Sequence, residues 1–248
     1  MRLSVSNLNK SYHSRPVLDL PNATFGDYPI EGLIGPNGAG KSTLMGLLTR
    51  RIPSSAGSIN CEIDQSVHSL MSMRSFEVAQ LGVVKTNQRI QGFDGLSIRD
   101  SLRLAATAPG DETLFGLFDK NQNSHEIEQL IDSYLDKFTF DEPSGFARSA
   151  GEKKLLDLLR CLIAKPKLLL MDEPTAGLPE DVTQLVMTEI SDQVEDKGLR
   201  VVIVEHDLEL IWKYCDYVHF LSDGEMLFQG TAEAVKNNRV VAEKYLGM

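Results

Sequence analysis

The octapeptide Gly35-Pro36-Asn37-Gly38-Ala39-Gly40-Lys41-Ser42 constrains this chain more than any other stretch. It matches the pattern G-x-x-x-x-G-K-[ST]. The apolar run Ile30-Glu31-Gly32-Leu33-Ile34 before it reads as a strand, and a helix is expected to start near Lys41. A strand, a glycine loop and a helix in that order make a phosphate cradle. Glycines let the backbone come close enough for successive N–H groups to point at one anion. The start of the helix adds its positive end. Lys41 can reach β- and γ-phosphates, and the Ser42 hydroxyl, followed by Thr43, can bind Mg²⁺.

Such a loop belongs to an α/β architecture, and the rest of the chain reads that way. Two continuous apolar runs, Leu168–Met171 and Val201–Val204, suit strands of a parallel sheet covered on both faces. Between them Val182, Val186, Ile190 and Val194, spaced by four, predict a helix over 180–195. Leu155, Leu156, Leu159, Leu162 and Ile163 predict an amphipathic helix over 152–165, closed by Lys165-Pro166. Residues 1–30 read as short strands with turn residues at Asn22, Gly26, Asp27 and Pro29. Residues 57–84 predict further strands and a helix, and 96–140 turns helical around a surface loop at 107–124. Two short strands between Asp216 and Gly230 and a terminal helix complete the pattern.

Several residues carry candidate chemistry. The 168–171 strand runs into Asp172-Glu173, two carboxylates at the strand end that faces the ligand crevice in open α/β sheets. Asp172 suits a hold on Mg²⁺, either direct or through the metal's own ligands, and Glu173 a general base for an attacking water. Ser149-Ala150-Gly151-Glu152 opens the 152–165 helix; Ser149 is a good N-cap, and the segment read by itself is a capped helix. His206, in Val204-Glu205-His206-Asp207, stands at a strand end, where it can sense a γ-phosphate or be structural. Gln88 can ligate Mg²⁺ through a neutral amide, and the Tyr12 ring can stack on a base. Neither of the last two signals is strong by itself.

Charge narrows the partners. The formal net charge is −10, which argues against a nucleic-acid footprint, since that runs on basic surface. Cys61, Cys161 and Cys215 lie far apart with no CxxC pair, so they read as reduced, partly buried thiols. No basic start followed by an apolar run marks a secretion signal. No stretch approaches the ~18 apolar residues that a membrane span needs. A membrane role is therefore expected to go through a partner.

Taken together, Tyr12, the 35–42 loop, Gln88, the 149–152 cap, Asp172-Glu173 and His206 stand in the order seen in ABC-type ATPases. Leu169-Leu170-Met171-Asp172-Glu173-Pro174-Thr175-Ala176-Gly177-Leu178 resembles that family's carboxylate strand and following loop, and the likeness covers nearly the whole chain. The resemblance implies a P-loop NTPase core with a mainly parallel sheet, an N-terminal antiparallel β subdomain and an inserted helical subdomain. It puts the core at about 1–88 and 155–248, and the helical part at about 89–154. It implies ATP and Mg²⁺ as cofactors. Tyr12 would stack on adenine. Gly35, Pro36, Asn37, Gly38, Ala39, Gly40, Lys41, Ser42 and Thr43 would hold the triphosphate. Ser42 and Gln88 would ligate Mg²⁺ with Asp172 close behind, Glu173 would be the catalytic base, and His206 the switch histidine. Ser149 and Gly151 would close over ATP on a second ATPase subunit, in a head-to-tail dimer. The helical stretch near Gln88 would dock a membrane permease, placing the protein on the cytoplasmic face of the membrane.

Within the family, Thr175–Leu178, Val204–Asp207 and the ending Tyr245-Leu246-Gly247 resemble the ATPases of branched-chain amino acid and urea importers. The chain departs from the usual Leu-Ser-Gly-Gly-Gln signature at Arg148, Ala150 and Glu152, and Pro179 stands where many relatives carry an aspartate. Gly151-Glu152-Lys153-Lys154 resembles the iron–sulfur assembly ATPase, which leaves a soluble, non-transport role as the alternative.

Overall fold

The structure is a computed structural model that describes residues 1–87, 96–106, 120–140 and 149–246. Gln88 and Arg148 lie outside the described residues. The chain opens with β1 (Arg2–Tyr12), β2 (Arg15–Phe25), β3 (Ile30–Ile34) and α1 (Lys41–Leu48). Next come β4 (Ala56–Ile63), β5 (Ser66–Ser69), α2 (Ser75–Gln80) and β6 (Val83–Lys85). The middle holds α3 (Ile98–Ala106), α4 (Lys120–Lys137), α5 (Ala150–Ile163), β7 (Leu168–Asp172) and α6 (Glu180–Lys197). The last part is β8 (Arg200–Val204), α7 (Leu208–Tyr214), β9 (Tyr217–Ser222), β10 (Glu225–Thr231), α8 (Ala232–Lys236) and α9 (Arg239–Leu246).

These elements fall into two compact units. The first is built from Met1–Lys85, Lys167–Glu173 and Ser191–Met248. It contains a six-stranded sheet of order β10-β9-β3-β8-β7-β6, parallel throughout except for β10. It also contains an antiparallel sheet of order β2-β1-β4-β5. Every residue of β3 and β7 is buried, as a parallel strand with both faces covered requires. Leu8, Phe25, Leu44, Leu47, Leu170 and Val202 join both sheets and α1 in one apolar cluster. The fold is thus the mixed P-loop architecture with an antiparallel β part that the sequence implies.

The second unit is built from Thr86–Pro166 and Pro174–Ile190. In it α3, α4 and α5 pack on one another through Ile98, Leu102, Ile131, Tyr134, Leu155 and Leu159. Arg99 bridges to Glu128 at 3.2 Å and to Asp132 at 2.6 Å across α3 and α4. These pairs are partly exposed, so they fix orientation more than they stabilise.

Some expectations need correction. Asn22 is no turn: it sits inside β2, opposite Ser6. Its neighbour Pro21 is tolerated there because β2 is an edge strand. Residues 120–124, read as loop, already belong to α4. The helix expected from 152 starts at Ala150, and the C-terminal helix is two, α8 and α9. Among the described residues no helix is long and apolar enough to cross a membrane.

Candidate functional site

The glycine loop leaves β3 and enters α1, and its shape explains its glycines. Gly35 has φ 155°, and a Cβ there would stand 1.9 Å from the Leu221 carbonyl oxygen. Gly40, which caps α1 at φ 106°, would bring a Cβ to 3.0 Å from the Val17 carbonyl oxygen. So β2, β9 and the loop close on one another only without side chains at those points. The loop is tied further by Gly224 N donating to Ala39 O at 3.1 Å, and by Ala39 N donating to Pro36 O at 3.2 Å. Gly38, at φ 83°, has nothing within 4 Å of where its Cβ would be. Ser42 is exposed and Thr43 half-buried.

Lys41 is buried and folds over its own loop, donating to Gly35 O at 2.6 Å and Pro36 O at 3.1 Å. Burial holds its ammonium below the ordinary lysine range, while the charges of Glu173 and Asp172 push it back up. The loop cation and both carboxylates therefore share one electrostatic neighbourhood within the first unit.

Asp172 ends β7 and is 2% exposed. Its Oδ2 accepts from Lys85 Nζ at 3.0 Å across the β6–β7 pair. Glu173 follows at φ 52°, a left-handed backbone that a non-glycine residue adopts only where its surroundings impose it. Its N–H donates to Val204 O at 2.8 Å, which hitches the turn to β8. Its Oε1 meets His206 Nε2 at 3.0 Å. The carboxylate only accepts, so Nε2 carries the proton. Two strand ends thus deliver the pair: β7 supplies Glu173, and β8, through Glu205, supplies His206.

Tyr12 ends β1 and is 43% exposed. Lys10 Nζ lies 4.6 Å from its ring centroid and donates to Pro53 O at 2.8 Å, so one side of the ring is backed by a buried cation.

The remaining candidates belong to the second unit. Ser149 caps α5: its Oγ accepts from Glu152 N at 3.0 Å, and Glu152 Oε2 accepts from Ser149 N at 2.9 Å. This is the reciprocal box that Ser-x-x-Glu spacing makes. Gly151 faces the loop after β7, where a Cβ would lie 3.6 Å from Leu178 Cδ2. Lys154 Nζ donates to Ala176 O at 2.9 Å, tying α5 to that loop. Asn87, the neighbour of Gln88, donates from its backbone and side chain to the buried Asp157 of α5 at 2.6 and 2.8 Å.

The structure therefore gathers the glycine loop, Lys41, Asp172, Glu173 and His206 in the first unit, and puts Ser149 and Gly151 at one helix start in the second. Lys85, Lys10 and Asp157 escape sequence reasoning because no motif contains them. A basic residue closing the strand before Gln88 was the one available signal for Lys85.

A hydroxyl and a carboxylate are hard oxygen donors that suit Mg²⁺. Among the described residues no group of three or more His, Cys, Asp or Glu side chains could hold a metal by itself.

Comparison with known proteins points one way. The ABC transporter family model matches residues 21–176. The lipopolysaccharide export system ATP-binding protein LptB of Haemophilus influenzae is 30% identical over 245 residues, covering 99% of this chain and 97% of that protein. The high-affinity branched-chain amino acid transport ATP-binding protein LivG of Escherichia coli is 29% identical over 257 residues, with the same shares covered. A nucleotide-free ATP-binding cassette from an ABC transporter shares 25% identity at a TM-score of 0.76, with all of both chains covered. A dimeric cassette in a post-hydrolysis state with ADP and phosphate shares the fold at 19% identity and a TM-score of 0.74, with 93% of this chain and 98% of that one covered.

Proposed function

We propose, from the premise that the chain belongs to the ABC transporter family, that it hydrolyses ATP as one of two cassettes in a head-to-tail dimer docked on a membrane permease. The observation that carries this reading is the Glu173–His206 contact beside the Lys41 loop. It joins a base, a partner for that base and a phosphate cradle in one place.

The placement of the loop, Asp172, Glu173 and His206, together with the family, supports the following roles. Backbone N–H groups of residues 38–43 and the Lys41 ammonium hold the triphosphate. Ser42 and Asp172 would hold Mg²⁺, with Gln88 as a further ligand. Bound Mg²⁺ would offset charge on the β- and γ-phosphate oxygens. Glu173 accepts a proton from the attacking water, and His206 keeps the Glu173 carboxylate oriented until a γ-phosphate draws the imidazole away. Tyr12, with Lys10 behind it, stacks on the base. Ser149 and Gly151 close on the nucleotide of the second cassette, whether a copy of this chain or a different one. Closure with ATP and opening after hydrolysis are then a population shift set by differential affinity. The protein works peripherally on the cytoplasmic face of the membrane, and the helical part around Gln88 meets the permease.

For cargo we propose uptake of a small polar solute such as a branched-chain amino acid or urea. The Thr175–Leu178 run and the LivG relative support it. A second reading, export of a lipid, is favoured by the LptB relative at a similar identity. Replacing Glu173 by Gln tests the chemistry: ATP binding should persist while hydrolysis falls by at least about 100-fold, as removal of a general base does. Hydrolysis at the parent rate would remove Glu173 from its role. Leucine and urea uptake in cells lacking the gene tests the cargo; unchanged uptake of both would favour export.

A further inference from the structure

Lys85 closes β6 and pairs in register with Leu170 of β7, two residues before Asp172. Its side chain is 6% exposed and that of Asp172 is 1% exposed, and they meet at 3.0 Å. Ion pairs this dry are uncommon, because desolvating both charges costs more than a surface pair returns. The pair is also placed oddly for a purely structural one. It sits on the carboxylate that ends β7, next to Glu173, and within the electrostatic reach of Lys41. Two lysines and two carboxylates thus offset one another in the first unit before any nucleotide or metal binds.

We propose that Lys85 is a positioning residue that supplies at Asp172 part of the positive charge a magnesium ion would otherwise supply. It rests on the reading of Asp172 as the magnesium carboxylate. Tethered across the strand pair, Asp172 Oδ2 keeps one orientation, and the carboxylate is tolerated inside the sheet without a metal. The same lysine sets a threshold for the metal. A dication approaching Asp172 meets a fixed ammonium beside its ligand, so more Mg²⁺ is needed to fill the site.

The experiment uses the full chain. Thermal unfolding is followed at saturating ADP while MgCl₂ is titrated, for the parent, Lys85→Met and Lys85→Arg. Lys85→Met should lower the metal-free midpoint. It should also lower, at least about fivefold, the Mg²⁺ concentration that gives half of the metal-dependent stabilisation, because a unit charge a few ångströms away is removed. Lys85→Arg should behave as the parent. A merely structural lysine would lower the midpoint and leave the Mg²⁺ dependence unmoved, and that result would overturn the proposal. Should Lys85→Met fail to fold, Lys85→Gln keeps a polar contact to Asp172 and is held to the same Mg²⁺ criterion. Absence of any Mg²⁺ effect in the parent would bring down the reading of Asp172 and this inference with it. An effect in the parent that is identical in the variants would bring down this inference alone.

Discussion

A methyl group on Gly35 would overlap the Leu221 carbonyl, whereas one on Gly38 would meet open space. The two substitutions therefore separate steric from conformational cost. Gly38→Ala bears only the strain of a left-handed alanine, about 1–2 kcal/mol. Gly35→Ala must also push the loop off β9, so urea unfolding should show the larger loss, and ADP should give it no thermal stabilisation. Equal losses would mean that the loop yields freely at Leu221. The thiols give a second test. Burial raises the Cys61 thiol from 9.0 to about 11 and pushes Cys215 up as well. The native state therefore holds the Cys61 proton more tightly than the unfolded chain does. Between pH 9 and 11 the native state binds more protons, so stability falls as pH rises. The loss from Cys61 should reach about 2 kcal/mol, at 1.36 kcal/mol per pH unit. Denaturant melts of Cys61→Ala should show a flatter decline over that window; an identical decline would assign the effect to other groups.

At the scale of elements, α5 joins two functions in one serine. Ser149 closes the capping box, and the proposed dimer also needs its hydroxyl for a phosphate. Ser149→Asp keeps an N-cap acceptor but brings a negative charge. It should unfold within about 0.5 kcal/mol of the parent and lose ATP-driven association, whereas Ser149→Ala should lose about 1 kcal/mol of cap energy. Retained association in Ser149→Asp would leave the serine with its capping role alone. The same helix shows what the sequence could disclose. Its apolar spacing, the Ser149 cap and the buried strands β7 and β8 are local patterns, so they were legible. The glycine loop, Asp172-Glu173 and His206 were legible as motifs, and the structure brings them together. Helix α7 escaped because seven residues barely make two turns; its signal was Asp207, which caps it through Glu209 N and Leu210 N. Lys85 escaped for a different reason. It lies 87 residues from Asp172, and only strand pairing brings the two together. Periodicity reports which face of an element is buried, while a contact across strands depends on register, which no single segment encodes.

At the scale of the whole molecule, charge sets a condition on assembly. Each copy carries a formal charge of −10, so two copies that close around bound ATP do so against mutual repulsion. Salt screens that repulsion over about 10 Å at 0.1 M ionic strength. Buried contacts of an ATP sandwich are screened far less than surface charge at longer range. Trapping the closed form in Glu173→Gln with ATP should therefore give a dimer on a sizing column whose fraction rises between about 0.02 and 0.2 M NaCl, within the range where the Debye length shrinks most. With ADP in place of ATP the chain should stay monomeric at either salt. A dimer that weakens as salt rises would mean that opposite charges, not the shared nucleotide, hold the copies together. That outcome would favour an interface other than the head-to-tail one. A monomer at both salts with ATP saturating would mean that one copy does not suffice. The partner cassette would then be a different chain, and the native complex drawn from its membrane in mild detergent would hold two cassettes of unequal mass.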